Sequence, residues 1–247
     1  MVFDTVTIIA ILVAFALGGI LKGATGAGAP VVTIPVIAAF YDVRIAVIIM
    51  VVPNLLTNIG QLYQFRKTIL PSFFTVSFAL GGGIGAFIGT ILLANLSIKI
   101  LTLSVAFIVI IYILLKLIVP SWKLIYEKAT KLVFIMGAAG GVLQGTAGLS
   151  APISITFLNA MKLERNQFIP TISVYFGVMS IFQMPTLYYY DFLNFEIIAA
   201  SLISTLVLLS FMPLGSWIAK SVSKENFDKI TLILLAFIAL RIIYLNL

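Results

Sequence analysis

Ten apolar stretches with short breaks between them fill almost the whole of this 247-residue chain. They cover 5–21, 28–40, 44–64, 70–94 and 98–118 in the first half, and 132–145, 150–161, 167–190, 196–219 and 227–246 in the second. A helix crosses a bilayer with about 20 apolar residues, whereas a spanning strand alternates over about 9–11. Most of these stretches are longer than such a strand and none alternates, so the chain is predicted to be an all-α, polytopic helical membrane protein.

Composition excludes most other classes. Hydrophobic residues make up 62% of the chain and charged residues 9%, against about 25% charged in soluble domains. The chain has no Cys and no His, which removes thiolate and imidazole metal ligands and His-based catalysis. We therefore expect no enzyme, no cofactor, no metal site and no nucleic-acid partner. A membrane-embedded enzyme would need acid–base or metal groups at membrane depth.

The two halves of the sequence repeat. Residues 19–30 align with residues 141–152 at an offset of 122, with six of twelve positions identical. At the same offset Gln61 meets Gln183. We therefore predict a first transmembrane repeat at 1–119, a cytoplasmic linker at 120–131 and a second transmembrane repeat at 132–247.

Charge predicts the topology. If all ten segments cross and both termini lie outside, eleven Lys and Arg residues fall in cytoplasmic loops and three fall outside, as the positive-inside rule requires. Five segments per repeat would make the halves inverted relative to each other, in the plasma or inner membrane. Segments 28–40 and 150–161 are short for a core of about 30 Å, so they either cross through the glycine motifs or enter as re-entrant half-helices.

Each half carries a glycine-rich motif that leads to a proline. The first is Gly23-Ala-Thr-Gly-Ala-Gly-Ala-Pro30 and the second is Gly145-Thr-Ala-Gly-Leu-Ser-Ala-Pro152. If each opens a short helix, its unpaired N–H groups would attract an anion. Two such ends would then face one point near the bilayer middle. The predicted binding residues are Gly23, Thr25, Gly26, Gly28, Gly145, Thr146, Gly148 and Ser150. The alternative is close helix packing by small residues.

Polar side chains within the apolar segments add to this site. Lys22 directly precedes the first motif, and a charge within a bilayer is usually functional. The alternative is that Lys22 extends to the headgroups. Asn54, Asn58 and Gln61 share one helix face, and Gln183 corresponds to Gln61. They are predicted to line a pathway for a polar solute, with interhelical hydrogen bonding as the alternative.

At these two motifs the chain resembles the sulfite exporter TauE/SafE family, also called the 4-toluene sulfonate uptake permease family. The resemblance implies transport of small sulfur-containing anions such as sulfite, thiosulfate or sulfoacetate, and alternating access is the expected mechanism. The expected partners are a small anionic substrate and the lipid bilayer. A coupling ion (proton or sodium), the direction of transport and the oligomeric state are left open. The alternatives are a small-anion channel, a membrane-embedded enzyme and a scaffold whose glycine motifs only pack.

Overall fold

A computed structural model describes residues 5–118, 122–221 and 224–246, where all regular structure is helical. The helices are α1 Thr5–Thr25, α2 Ala29–Phe40, α3 Val43–Phe65, α4 Ser72–Asn95, α5 Ile98–Ile118, α6 Tyr126–Ala147, α7 Ser154–Ala160, α8 Arg165–Tyr189, α9 Phe195–Ser221 and α10 Lys224–Asn246. A single 3-10 turn, Arg66–Thr68, follows α3. The predicted all-α helical bundle is confirmed.

Six of the described helices are long and apolar enough to cross a membrane. They correspond to Thr7–Thr25, Val43–Thr68, Ser72–Asn95, Ile98–Ile118, Arg165–Tyr189 and Phe195–Lys220. The chain is therefore a multi-pass membrane protein. The orientation of its termini and the identity of the membrane stay predictions.

Two of the predicted segments form half-helices. α2 has 12 residues and α7 has 7, which at about 1.5 Å per residue gives roughly 18 and 10 Å. α2 folds back along α1, where the hydroxyl of Thr33 donates to the carbonyl of Ala14 at 3.2 Å. Neither half-helix alone is long enough to cross a core of about 30 Å; their place in the membrane stays a prediction.

The segments at the start of the second half differ from prediction. Pro30 lies in the first turn of α2, and Pro152 lies in the turn that leads into α7, two residues before that helix begins. There the carbonyl of Ser150 accepts from the N–H groups of Ile153 and Ser154 at 3.0 and 2.8 Å. α6 begins at Tyr126, inside the predicted linker. Of that linker, residues 120 and 121 lie outside the described residues.

The two halves of the chain interlock. α1 packs on α9, α4 on α6, α3 on α8 and α5 on α10, so each of these pairs takes one helix from each half. At the offset of 122, α1 corresponds to α6 and α4 to α9, which makes the first two pairs equivalent. This supports the predicted repeat. The division at 1–119 and 132–247 and the inverted relation of the halves stay predictions.

Glycines let two of these pairs touch backbone to backbone. A methyl group at Gly145 would collide with the carbonyl oxygen of Ala86 on α4, and one at Gly23 would collide with that of Met212 on α9. Further glycines of the same kind are Gly81, Gly85 and Gly89 on α4, Gly137 and Gly141 on α6, Gly19 on α1 and Gly215 on α9. Small residues allow this approach between membrane helices. The structure thus gives Gly23 and Gly145 a packing role.

Candidate functional site

Lys22 is buried within the bundle. Its side chain is 1% exposed, and its Nζ donates to Oδ1 of Asn58 at 2.9 Å. Among the side chains whose exposure is described, it is the only charged one that is buried. The alternative in which Lys22 extends to the headgroups therefore does not hold. The ammonium is held inside the bundle by the amide of a neighbouring helix.

A chain of hydrogen bonds through the amides of α3 connects Lys22 to α8. Nδ2 of Asn58 donates to Oδ1 of Asn54 at 3.0 Å and to its backbone carbonyl at 2.6 Å. Nδ2 of Asn54 then donates to the hydroxyl of Ser180 at 3.3 Å. All of these side chains are buried. The sequence-predicted stripe on α3 thus lies at the interface between the two halves of the chain.

Two glutamines extend the buried polar row. Oε1 of Gln61 accepts from the hydroxyl of Ser173 at a long 3.5 Å. Gln183 is 1% exposed, yet neither its Nε2 nor its Oε1 has a hydrogen-bond partner among the described residues, and the same holds for Oγ1 of Thr186. Buried polar atoms are rarely left unpaired, and each such case calls for an explanation such as a bound polar guest.

We give the name polar line to seven buried polar residues of α3 and α8. Its members are Asn54, Asn58, Gln61, Ser173, Ser180, Gln183 and Thr186. Thr186 was missed from the sequence, although it follows Gln183 by about one helical turn and could have been found on that basis.

The two glycine turns pack against different helices. Gly26 and Gly28 have positive φ angles of 84° and 90°, and Gly148 has one of 71°. A methyl group at Gly26 would collide with Ile169, near the start of α8. One at Gly148 would stand 2.9 Å from Ile34 on α2 and 3.2 Å from Val47 near the start of α3.

A contact with α2 links the second turn to the first. Ile34, which a methyl group at Gly148 would contact, follows Gly28 by six residues on α2, about 9 Å along the helix axis. The hydrogen bonds of the polar line show that α3 and α8 run antiparallel, because seven residues forward on α3 correspond to seven residues back on α8. That both turns face one guest stays a prediction.

The second turn is closed by its own hydrogen bonds. The hydroxyl of Thr146 donates to the carbonyl of Gly89 at 3.2 Å. The N–H of Ser150 donates to Oε1 of Gln144 at 3.3 Å, and its Oγ accepts from the hydroxyl of Ser154 at 2.9 Å. These groups are directed at the protein rather than at an open space. A role for Thr146, Gly148 or Ser150 in binding stays a prediction.

The first turn, in contrast, borders a cavity of about 350 Å³. Thr25 and Gly28 line it, together with the cationic side chains of Lys116 on α5 and Arg165 on α8. The hydroxyl of Thr25 donates to the carbonyl of Leu21 at 2.8 Å. Lys116 and Arg165 served in the sequence only as topology signals, since nothing in their spacing indicates that they share a cavity.

The described acids lie at helix ends. Oδ1 of Asp42 accepts from the N–H of Arg44 at 2.7 Å and caps α3, and Glu164 is exposed ahead of α8. None of the acids whose exposure is described is buried, and no cluster of metal-ligating side chains was found among the described residues. The buried polar chemistry of the described residues is therefore amides, hydroxyls and one ammonium.

A bundle of long apolar helices with a buried polar interface defines a multi-pass helical membrane protein. The family model of the sulfite exporter TauE/SafE matches residues 10–242, and the chain belongs to that family of membrane transporters. No curated protein and no solved structure matches the chain. The resemblance noted at the glycine motifs is thus confirmed over nearly the whole length.

Proposed function

We propose that this protein carries small sulfur-containing anions, such as sulfite, thiosulfate or an organosulfonate like sulfoacetate, across the cell membrane by alternating access. Its family supports the substrate class. The observation that carries the proposal is the buried ammonium of Lys22.

An unbalanced charge at membrane depth is unfavourable. A buried cation loses its hydration, and the loss is offset only by hydrogen bonds or an opposite charge. Among the side chains whose exposure is described no acid is buried, and the contact found for Lys22 is with a neutral amide. An ammonium has three N–H donors, and one of them is used here. A small oxyanion supplies both the missing negative charge and several acceptors.

The anion would then follow the polar line. Neutral amides and hydroxyls replace water around an oxyanion without holding it as tightly as a second charge would. Asn58 is already in contact with Lys22, and Gln183 and Thr186 lie further along α8 with unpaired atoms. The glycine turns take a different part in this scheme, since they let the half-helices fold back beside this interface.

The interlocked helices favour a particular division into moving bodies. If one sequence half rocked against the other, the glycine contacts of α1 with α9 and of α4 with α6 would have to separate. Close packing of this kind resists separation. We therefore assign α1, α2, α3 and α9 to one body and α4, α6, α7 and α8 to the other. These bodies meet at α3 and α8, where the polar line lies.

Transport in proteoliposomes tests the function. We expect saturable uptake of labelled sulfite or sulfoacetate by the wild type, a loss of at least about 100-fold in Lys22→Met, and partial recovery in Lys22→Arg, which keeps the charge. Lys67→Gln, which removes an exposed lysine of the 3-10 turn, is the matched control. The absence of saturable flux for every small anion would refute the proposal, and a flux that never saturates would indicate a channel.

Crosslinking tests the moving bodies. The chain has no native Cys, so engineered cysteine pairs report without background. A disulfide between α1 and α9 should leave transport intact, whereas one between α3 and α8 should stop it. The reverse pattern would show that the sequence halves move as units.

A further inference from the structure

The cavity at the first glycine turn carries positive charge. Thr25, Gly28, Asn159, Lys116 and Arg165 are among the residues that line it, and none of its lining residues is acidic. Its volume of about 350 Å³ lies at the small end of the range for ligand sites. A small anion fits both its size and its charge.

The geometry of the lining favours an oxyanion. Nη2 of Arg165 donates to the carbonyl of Gly23 at 3.1 Å, which holds the guanidinium at the end of α1. A guanidinium has five N–H donors in a planar fork that suits oxyanions. Gly28 lines the cavity with a positive φ of 90°. Gly28 directly precedes α2, whose N-terminal end adds positive partial charge.

The cavity lies close to the buried ammonium. Thr25 lines it and follows Lys22 by three residues on α1, about 4.5 Å along the helix axis. Lys116 near the end of α5 and Arg165 at the start of α8 mark the end of the bundle that the positive-inside rule places in the cytoplasm. An anion in the cavity would therefore lie about one helical turn along α1 from the position of Lys22.

We propose that this cavity is a second anion site, a vestibule in which the side chains of Lys116 and Arg165 capture a sulfite or organosulfonate before it reaches Lys22. This proposal rests on the proposed function, because the vestibule serves transport. It predicts that the two charges raise the affinity for the anion from this side of the membrane without taking part in the later steps.

Anion binding to a protein that lacks the Lys22 ammonium tests the vestibule. Sulfoacetate binding to the purified Lys22→Met protein should persist, and the added pair Lys116→Gln and Arg165→Gln should weaken it by roughly fivefold per charge removed. In the otherwise wild-type protein the same pair should raise KM for anion supplied from that side and leave kcat within about twofold. Lys67→Gln in place of the pair is the control.

Lipid composition distinguishes a free anion such as sulfoacetate from the headgroup of an anionic lipid as the occupant of the cavity. In nanodiscs of phosphatidylcholine, sulfoacetate should bind as in detergent, and 30% phosphatidylglycerol should leave its affinity unchanged. If phosphatidylglycerol displaces sulfoacetate, the cavity holds a lipid headgroup and the vestibule proposal is overturned. It is equally overturned if Lys22→Met abolishes all binding, or if Lys116→Gln with Arg165→Gln changes neither binding nor KM.

The two proposals fail in different ways. If wild-type vesicles show no saturable flux while binding still depends on Lys116 and Arg165, the proposed function is refuted and the anion site remains. If flux depends on Lys22 but not on Lys116 and Arg165, the proposed transport function remains and the vestibule is refuted.

Discussion

Replacing Gln183 with leucine should make the protein more stable and transport slower. The side chain is 1% exposed, and its two polar atoms have no hydrogen-bond partner in the described part of the chain. An unsatisfied buried polar group costs about 1–3 kcal/mol, and leucine of similar size removes that cost. We expect a gain of about 1–2 kcal/mol, which corresponds to a rise in Tm of roughly 2–8 °C for a chain of this length.

The same substitution removes an amide that we assign to the path of the anion. Sulfite uptake should therefore fall by at least about tenfold, since one charge-assisted hydrogen bond to an anion is worth about 1.5–3 kcal/mol. Thermal unfolding in detergent and uptake in proteoliposomes measure the two effects separately. Gln61→Leu is the matched control, because Oε1 of Gln61 accepts from Ser173, so that substitution should not raise Tm.

Two results would refute this reasoning. A lower Tm for Gln183→Leu would show that its polar atoms are satisfied in the folded protein. A higher Tm with normal uptake would show that the unpaired amide is a packing defect with no part in transport. Only the combination of a gain in stability and a loss of uptake supports an amide held for a polar guest.

Two further predictions concern stability. Gly89→Ala should destabilise the protein by about 1–3 kcal/mol, because the new methyl group would stand 2.9 Å from backbone atoms of α6. Gly177→Ala, with no neighbour within 4 Å, should gain about 0.5–1 kcal/mol in helix preference; equal effects on Tm would contradict the close contact of α4 with α6. Arg44→Gln should cost about 1.5–3 kcal/mol, because its guanidinium donates to two carbonyls near the end of α4 at 3.1 and 2.7 Å. Exposed Arg66→Gln should change the free energy of unfolding by less than about 0.5 kcal/mol, and a similar loss in both would refute the capping role of Arg44.

The membrane class and the polar residues of the site could be predicted because both depend on local sequence. Long apolar runs fix helices, since no other element except a closed barrel satisfies the backbone in lipid. A lysine or a row of amides inside such runs is conspicuous because it is unfavourable there. The stripe of Asn54, Asn58 and Gln61 therefore identified one face of α3 before any contact was known.

The placement of the glycine motifs could not be predicted in the same way. A glycine at a helix end serves equally well for ligand approach and for backbone packing, so Gly23 and Gly145 left both possibilities open. Which one holds depends on the neighbouring helix, and for these residues the neighbours are α9 and α4. Gly26 meets Ile169 on α8 and Gly148 meets Ile34 on α2, and no local pattern encodes these contacts.

By itself, then, the amino-acid sequence determined that the chain lies in a membrane, that its elements are helices and that its halves repeat at a fixed offset. It also identified the polar residues that are unfavourable in lipid. These follow from transfer free energies and backbone hydrogen bonding, which act over a few neighbouring residues. Only the tertiary structure decided that Lys22 contacts Asn58, that the second glycine turn packs against α2, and that Lys116 and Arg165 share a cavity. Those facts depend on which helices pack together, and for α1, α4, α6 and α9 that choice is fixed by the fit of glycine surfaces against distant backbone.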